Sequence, residues 1–192
     1  MTPNRPDQTR LPISEAYWVK EDRFLAGEYP ASYDPESARR RLEKFLESGI
    51  RTFINLTQPH ELPPYEPILK DLSRIYDLQL AHLRFPIRDH GVPPSQVMTD
   101  ILDAVDESIQ NGNPAYIHCW GGVGRTGMAV ACYFIRRGLE PEQALLRVAS
   151  LYKTRPQTYF LPTSPETQEQ FEFVRNWWEN PSPPSKPRYC EG

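Results

Sequence analysis

The chain is short of cysteine and of long apolar runs, and each shortage removes a class of protein. Its 192 residues include three cysteines, odd in number and scattered, which cannot form the paired framework of a disulfide-stabilised domain. No stretch approaches the roughly 18 consecutive apolar residues of a membrane-crossing helix. The opening residues, Met1-Thr2-Pro3-Asn4-Arg5-Pro6-Asp7, lack the apolar segment of a secretory leader. A formal net charge of -3 is ordinary for a globular chain and argues neither for nor against a particular partner, although a nucleic-acid binder is more often basic. There is no internal repeat. These absences predict a single globular enzyme or binding domain in a reducing, cytoplasmic setting, acting as a monomer.

Proline is what the chain has in excess: 21 residues, against a usual share of roughly 5%. They gather at the ends and in two loops, so we expect a flexible N-terminal arm over 1–13, a folded domain over 14–180 and a Pro-rich disordered tail over 181–192. Within the domain, strand and helix patterns alternate. Tyr17-Trp18-Val19 and Phe24-Leu25-Ala26-Gly27 read as two strands joined by a charged turn. Asp34-Pro35 reads as an N-cap with Pro at the first helical position, and the helix ends at Gly49. Ile50–Leu56 reads as an interior strand, and Glu66–Tyr76 as a helix with Ile68, Leu69, Leu72 and Ile75 on one face. Gln79–Phe85 reads as a strand, and Ser95 as the cap of a helix closed by Asn111-Gly112. Glu140-Pro141 opens another helix, and Ser164-Pro165-Glu166-Thr167 opens the last. The fold class that follows is α/β: a mostly parallel twisted sheet with helices on both faces.

In such sheets ligands bind beyond the carboxyl ends of the strands. Three polar stretches follow predicted strands: Thr57–Pro67, Ile87–Pro94 and the loop after Pro114-Ala115-Tyr116-Ile117. The last reads His118-Cys119-Trp120-Gly121-Gly122-Val123-Gly124-Arg125-Thr126-Gly127, ahead of a helix expected over Met128–Arg137. A Gly-rich turn entering a helix aims backbone N–H groups and the positive helix end into one space. Cys119 sits at its base, where such surroundings favour the attacking thiolate. Arg125 sits at its rim, with the fork geometry that matches a phosphate. Cys132 falls among Ala129, Val130, Ala131 and Tyr133 and reads as core; Cys190 lies in the tail as an exposed thiol.

His-Cys, five residues, Arg, then Thr-Gly resembles the signature loop of the cysteine-dependent protein tyrosine phosphatase superfamily, and the compact size resembles its dual-specificity branch. The element order from Trp18 to Trp178 is compatible with that fold. The resemblance implies a metal-independent phosphomonoester hydrolase without cofactor, acting on phosphotyrosine in proteins; pocket depth decides whether phosphoserine or phosphothreonine also reaches Cys119, and that stays open here. By it, Cys119 is the nucleophile that becomes a phosphocysteine, Arg125 holds the phosphoryl group, and the backbone of Trp120, Gly121, Gly122, Val123 and Gly124 cradles its oxygens. Thr126 donates to the departing thiolate, and His118 orders the loop and helps set the cysteine pKa. Asp89, in Phe85-Pro86-Ile87-Arg88-Asp89-His90-Gly91, is the general acid, with His90 a neighbour. Many relatives orient the hydrolytic water with a glutamine. Here Glu166 stands where a leading glutamine belongs, and Gln170 matches the second one.

Several readings stay open at this level. Trp120 either lines the pocket or packs under the loop. The Thr57–Pro67 loop, with His60 and Tyr65, is the expected rim. The signature loop carries no lysine, which argues against a polyphosphoinositide substrate without removing it. A phosphate-binding module without turnover and a rhodanese-like or arsenate-reductase-like enzyme are the rivals of other classes.

Overall fold

The computed structural model describes residues 11–156 and 163–178. Eleven elements follow one another: β1 (Ala16–Lys20), β2 (Phe24–Gly27), α1 (Pro35–Glu47), β3 (Thr52–Asn55), α2 (Glu66–Tyr76), β4 (Ala81–Arg84), α3 (Ser95–Gln110), β5 (Ala115–His118), α4 (Gly124–Arg136), α5 (Pro141–Tyr152) and α6 (Gln168–Asn176). The strands form one five-stranded sheet in the order β1-β2-β5-β3-β4. The β1–β2 hairpin is antiparallel and every other pairing is parallel, as the strand–helix alternation predicts.

Side chains alternate across a strand, and the alternation divides the core in two. Phe24, Ala26, Ile54, Ala115 and Ile117 face α3, α4 and α5, where Met98, Ile101, Val105, Val130 and Val148 are buried. Leu25, Phe53 and Tyr116 point the other way, onto Leu42 and Phe45 of α1 and Leu69 and Leu72 of α2. With both faces covered, the sheet offers only its strand ends. Register brings Gly27, His118, Asn55 and Arg84 side by side as the last residues of the parallel strands. The three polar loops leave from that edge.

Boundaries shift where local signals compete. The strand at Ile50–Leu56 contracts to β3, and Gln79–Phe85 to β4. Ser95 does not cap α3: Pro94 holds the cap position, with no side-chain bond, and Ser95 is the first helical residue. Ser164 and Pro165 precede the last helix instead of opening it. Thr167 is the cap, accepting from the Gln170 N–H while the Gln170 side chain accepts from the Thr167 N–H. α4 begins at Gly124, earlier than the Met128 expected, so Arg125 and Thr126 belong to its first turn. Of the expected arm at 1–13, residues 1–10 lie outside the described residues. Pro12 and Ile13 are buried, Ile13 against the α1 side of the core, so packing starts before residue 14. The expected tail at 181–192, with Cys190, also lies outside the described residues. Among the described residues no helix is long and apolar enough to cross a membrane.

Candidate active site

Cys119 follows directly on β5, is 3% exposed, and its Sγ accepts a hydrogen bond of 3.1 Å from Thr126 Oγ1. The chain between them is shaped from outside. Trp120 O accepts from the Tyr29 N–H at 2.7 Å. Arg155 donates through Nη2 to Gly121 O at 3.1 Å and through Nη1 to Gly122 O at 2.9 Å. Ser164 Oγ donates to Val123 O at 2.8 Å. A peptide's N–H points opposite its C=O, so drawing these carbonyls outward turns the following N–H groups toward the cavity. The loop is thus held by partners that lie far from it in sequence. The glycines serve different ends. Gly122 adopts φ +66°, and a Cβ there would collide with the backbone of Gly27. Gly124 needs no unusual backbone, but a Cβ would stand 2.7 Å from Gln170 Oε1.

A cavity of about 190 Å³ opens over this loop, lined by Cys119, Trp120, Arg125, Asp89, His90 and Glu166 among others. Trp120 is 52% exposed, so it stands in the wall and does not anchor the loop from beneath. Cys132, at the other extreme, is fully buried within α4. Among the described residues no cluster of three or more His, Cys, Asp or Glu could hold a metal ion.

Arg125 is placed differently from the expectation. Its side chain is 2% exposed and its fork meets a carboxylate already: Nη1 and Nη2 donate to Glu61 Oε2 and Oε1 at 2.9 and 2.6 Å. Nη1 also reaches Ile87 O at 3.1 Å, and Nη2 lies 2.9 Å from Asp89 Oδ1. Burial works against the charge on Arg125, but Glu61, the Cys119 sulfur and Asp89 outweigh it and hold the guanidinium pKa above its ordinary value. Glu61 shows the converse: burial opposes its charge, and Arg125 outweighs it, leaving the carboxyl below its usual range.

His118 is wholly buried between two partners. Its Nδ1 faces Cys119 O at 2.9 Å, which can only accept, so that nitrogen carries the proton. Nε2 then accepts from the Tyr65 hydroxyl at 2.6 Å. Burial pushes the ring pKa down to about 3, although the bond to Cys119 O resists. A neutral imidazole orders the loop through the Cys119 carbonyl and brings no positive charge to the sulfur. Tyr65, expected on the rim, is 1% exposed and belongs to this support; burial holds its phenol well above the ordinary value. The Thr57–Pro67 loop contributes a strut more than a rim, through Glu61 and Tyr65, and His60 does not line the cavity.

Gln170 is fully buried and its amide is engaged. Oε1 accepts from the N–H groups of Glu166 and Thr167 at 3.1 and 3.3 Å, and Nε2 donates to Gly91 O at 3.2 Å. Thr167 Oγ1 donates to His90 O at 3.2 Å. These bonds tie the Asp89-bearing loop to the start of α6, a role other than orienting water. The side chain that reaches the cavity from this segment is Glu166. Sequence reasoning missed Arg155, Ser164 and Tyr29 altogether and passed over Glu61 as one residue of a loop. Only its position after β3, on the ligand-binding edge of the sheet, pointed to Glu61.

Residues 31–139 match the family model Tc-R-P, the DSP-PTPase phosphatase of polymorphic toxin systems. The chain belongs to this phosphatase family, within the cysteine-dependent protein tyrosine phosphatase superfamily. The DSP-PTPase domain is 34% identical over 125 residues to protein tyrosine phosphatase domain-containing protein 1 of Mus musculus, covering 62% of this chain and 16% of that protein. It is 31% identical over 158 residues to the phosphatidylinositol 3,4,5-trisphosphate 3-phosphatase and protein-tyrosine-phosphatase PTEN1 of Arabidopsis thaliana, covering 81% of this chain and 36% of that protein. The chain therefore spans only part of these relatives. Among solved structures, Tk-PTP in its active form superposes with a TM-score of 0.67 at 25% identity, over 84% of this chain and 94% of that one.

Proposed function

We propose that this DSP-PTPase hydrolyses phosphomonoesters in proteins through a phosphocysteine on Cys119, with phosphotyrosine its main substrate and phosphoserine or phosphothreonine further ones. The observation that carries the reading is that Cys119, whose sulfur accepts from the Thr126 hydroxyl, lines one cavity together with Gly121, Val123, Gly124, Arg125 and Asp89.

In the first step Sγ attacks phosphorus, the S–P bond forms, and the P–O bond to the leaving group breaks. The N–H groups and Arg125 stabilise the equatorial oxygens as charge develops there. The incoming phosphate displaces the Asp89 carboxylate from Arg125 Nη2; the freed carboxylate takes up a proton from water and passes it to the leaving oxygen as the P–O bond breaks. In the second step water attacks phosphorus, Asp89 takes the water's proton, and the S–P bond breaks with its electron pair returning to sulfur. The Thr126 hydroxyl stabilises that sulfur through the bond it already makes. A reactive thiol needs a reducing compartment, in keeping with a cytoplasmic setting.

The test is turnover of para-nitrophenyl phosphate and of a phosphotyrosine peptide by reduced protein. Wild type turns over, while Cys119→Ser gives no product yet keeps peptide affinity within about threefold, because the cradle is backbone. An inert wild type would make the domain a phosphate-binding module. A phosphoinositide hydrolysed faster than the peptide would move the substrate to lipid, an activity that the name of the Arabidopsis relative includes.

A further inference from the structure

The outer wall of the phosphate cavity is acidic. Asp89, His90 and Glu166 line it, and among the described residues the only lysine or arginine in its lining is Arg125, whose charge both oxygens of Glu61 already meet. A second cation, Arg155, stands behind the loop, 9% exposed and spent on the carbonyls of Gly121 and Gly122. Arg88 is exposed on the Asp89 loop but does not line the cavity.

Glu166 is the wall residue whose charge has least opposition. Its one ion-pair contact among the described residues is His90 Nδ1 at 3.8 Å, while His90 Nε2 lies 3.3 Å from Asp89 Oδ2. One imidazole is shared between two carboxylates. A phosphoryl group seated over Cys119 therefore has its dianion met from below, while whatever flanks it meets negative charge.

Resting on the phosphoprotein reading above, we propose that Glu166 is a specificity-determining residue. It favours substrates with Lys or Arg beside the phosphorylated residue and disfavours those with an acidic or second phosphorylated residue there. Specificity arises here as much from repulsion of the wrong substrate as from attraction of the right one. Coulomb interactions across a half-exposed wall give a spread of about three- to tenfold between a cationic and an anionic neighbour.

The test uses three phosphotyrosine peptides identical except for Lys, Ala or Glu next to the phosphotyrosine, compared by kcat/KM at low and high salt. Wild type ranks them Lys, Ala, Glu, and the spread narrows with salt as screening shortens the field. Glu166→Gln keeps the shape and the backbone N–H bond to Gln170, and collapses the spread to under twofold. Because the readout is a ratio within one enzyme, a variant that is merely less well folded lowers all three rates together and leaves the spread intact, which overturns the proposal. A flat or reversed ranking in an active wild type overturns it as well, and leaves the phosphoprotein reading standing. A wild type that prefers a polyphosphorylated inositol lipid to every peptide overturns both.

Discussion

Two carboxylates reach the same guanidinium from two different loops, and they are held in opposite ways. The Glu61 side chain is 12% exposed and uses both oxygens on Arg125, while Asp89 is 48% exposed and uses one. Glu61 is also pinned from behind: its Oε2 accepts from the Gln58 N–H at 3.0 Å, and Arg84 grips the carbonyls of Thr57 and Gln58 at 3.4 and 3.3 Å. Among the described residues, Asp89 turns its second oxygen to His90 alone. A buried bidentate pair cannot open without stranding a charge, whereas a half-exposed contact exchanges for water at little cost. Glu61 is therefore a strut that aims Arg125, and Asp89 is a group able to leave it.

The strongest way to break this contrast is Glu61→Ala. It strands the Arg125 charge inside the protein and lowers stability by about 3 kcal/mol, read as a fall in the urea midpoint, with turnover lost alongside. A variant as stable as wild type would mean that Arg125 is held by the Ile87 carbonyl and the cradle without Glu61. Asp89→Asn is the mirror experiment. Stability stays within about 0.5 kcal/mol, because a surface ion pair contributes little. The rate on a phosphotyrosine peptide falls roughly 10²-fold, and the rate on para-nitrophenyl phosphate, whose leaving group needs less protonation, falls much less. Equal losses on both substrates would remove Asp89 as the acid.

Acidification sharpens the comparison by smaller steps. The folded protein holds His118 neutral down to about pH 3, whereas the unfolded chain protonates it near its ordinary value of 6.5. Over that interval the unfolded state binds more protons, so stability falls as pH drops from about 6.5 toward 3, by up to about 1.4 kcal/mol per pH unit. His82, its pKa likewise lowered by burial, adds to the same slope. The Glu61 carboxyl, held below its ordinary 4.5, contributes stability present above that value and lost as pH falls through its lowered folded pKa. His118→Gln flattens the upper part of the urea-midpoint profile, and Glu61→Gln only the part below pH 4.5. If both variants kept the wild-type profile, neither group would carry the acid sensitivity.

How much of this was legible beforehand depends on distance along the chain. α2 runs over Glu66–Tyr76 as its apolar spacing predicts, and Asp34 caps α1 with Pro35 behind it. Cys119, Thr126, Arg125 and Asp89 all reach the cavity or its floor, and all lie in segments whose strand–loop–helix pattern is local. What was not legible shares a cause. The partners of Gln170 are on the Asp89 loop and the α6 cap, which no local pattern shows. Tyr65 looks like a rim residue in a polar loop, until His118 is found 53 positions away at its hydroxyl.

By itself, then, the sequence determined the elements, their alternation around a parallel sheet, and the loop that carries Cys119 and Arg125 at the sheet edge. Periodicity, caps and the Cys–Arg loop are written within a few turns of chain, where backbone sterics and burial act locally. Tertiary structure alone decided what those residues do at rest. It chose Glu61, 64 positions from Arg125, as the guanidinium's partner, and Arg155, 33 positions from Gly122, as the tether that turns the loop's N–H groups inward. It also made His118 neutral, by closing Tyr65, Tyr29 and Tyr116 around it. Charge state and hydrogen-bond direction depend on which groups share a dry interior, and only the folded chain assembles that interior.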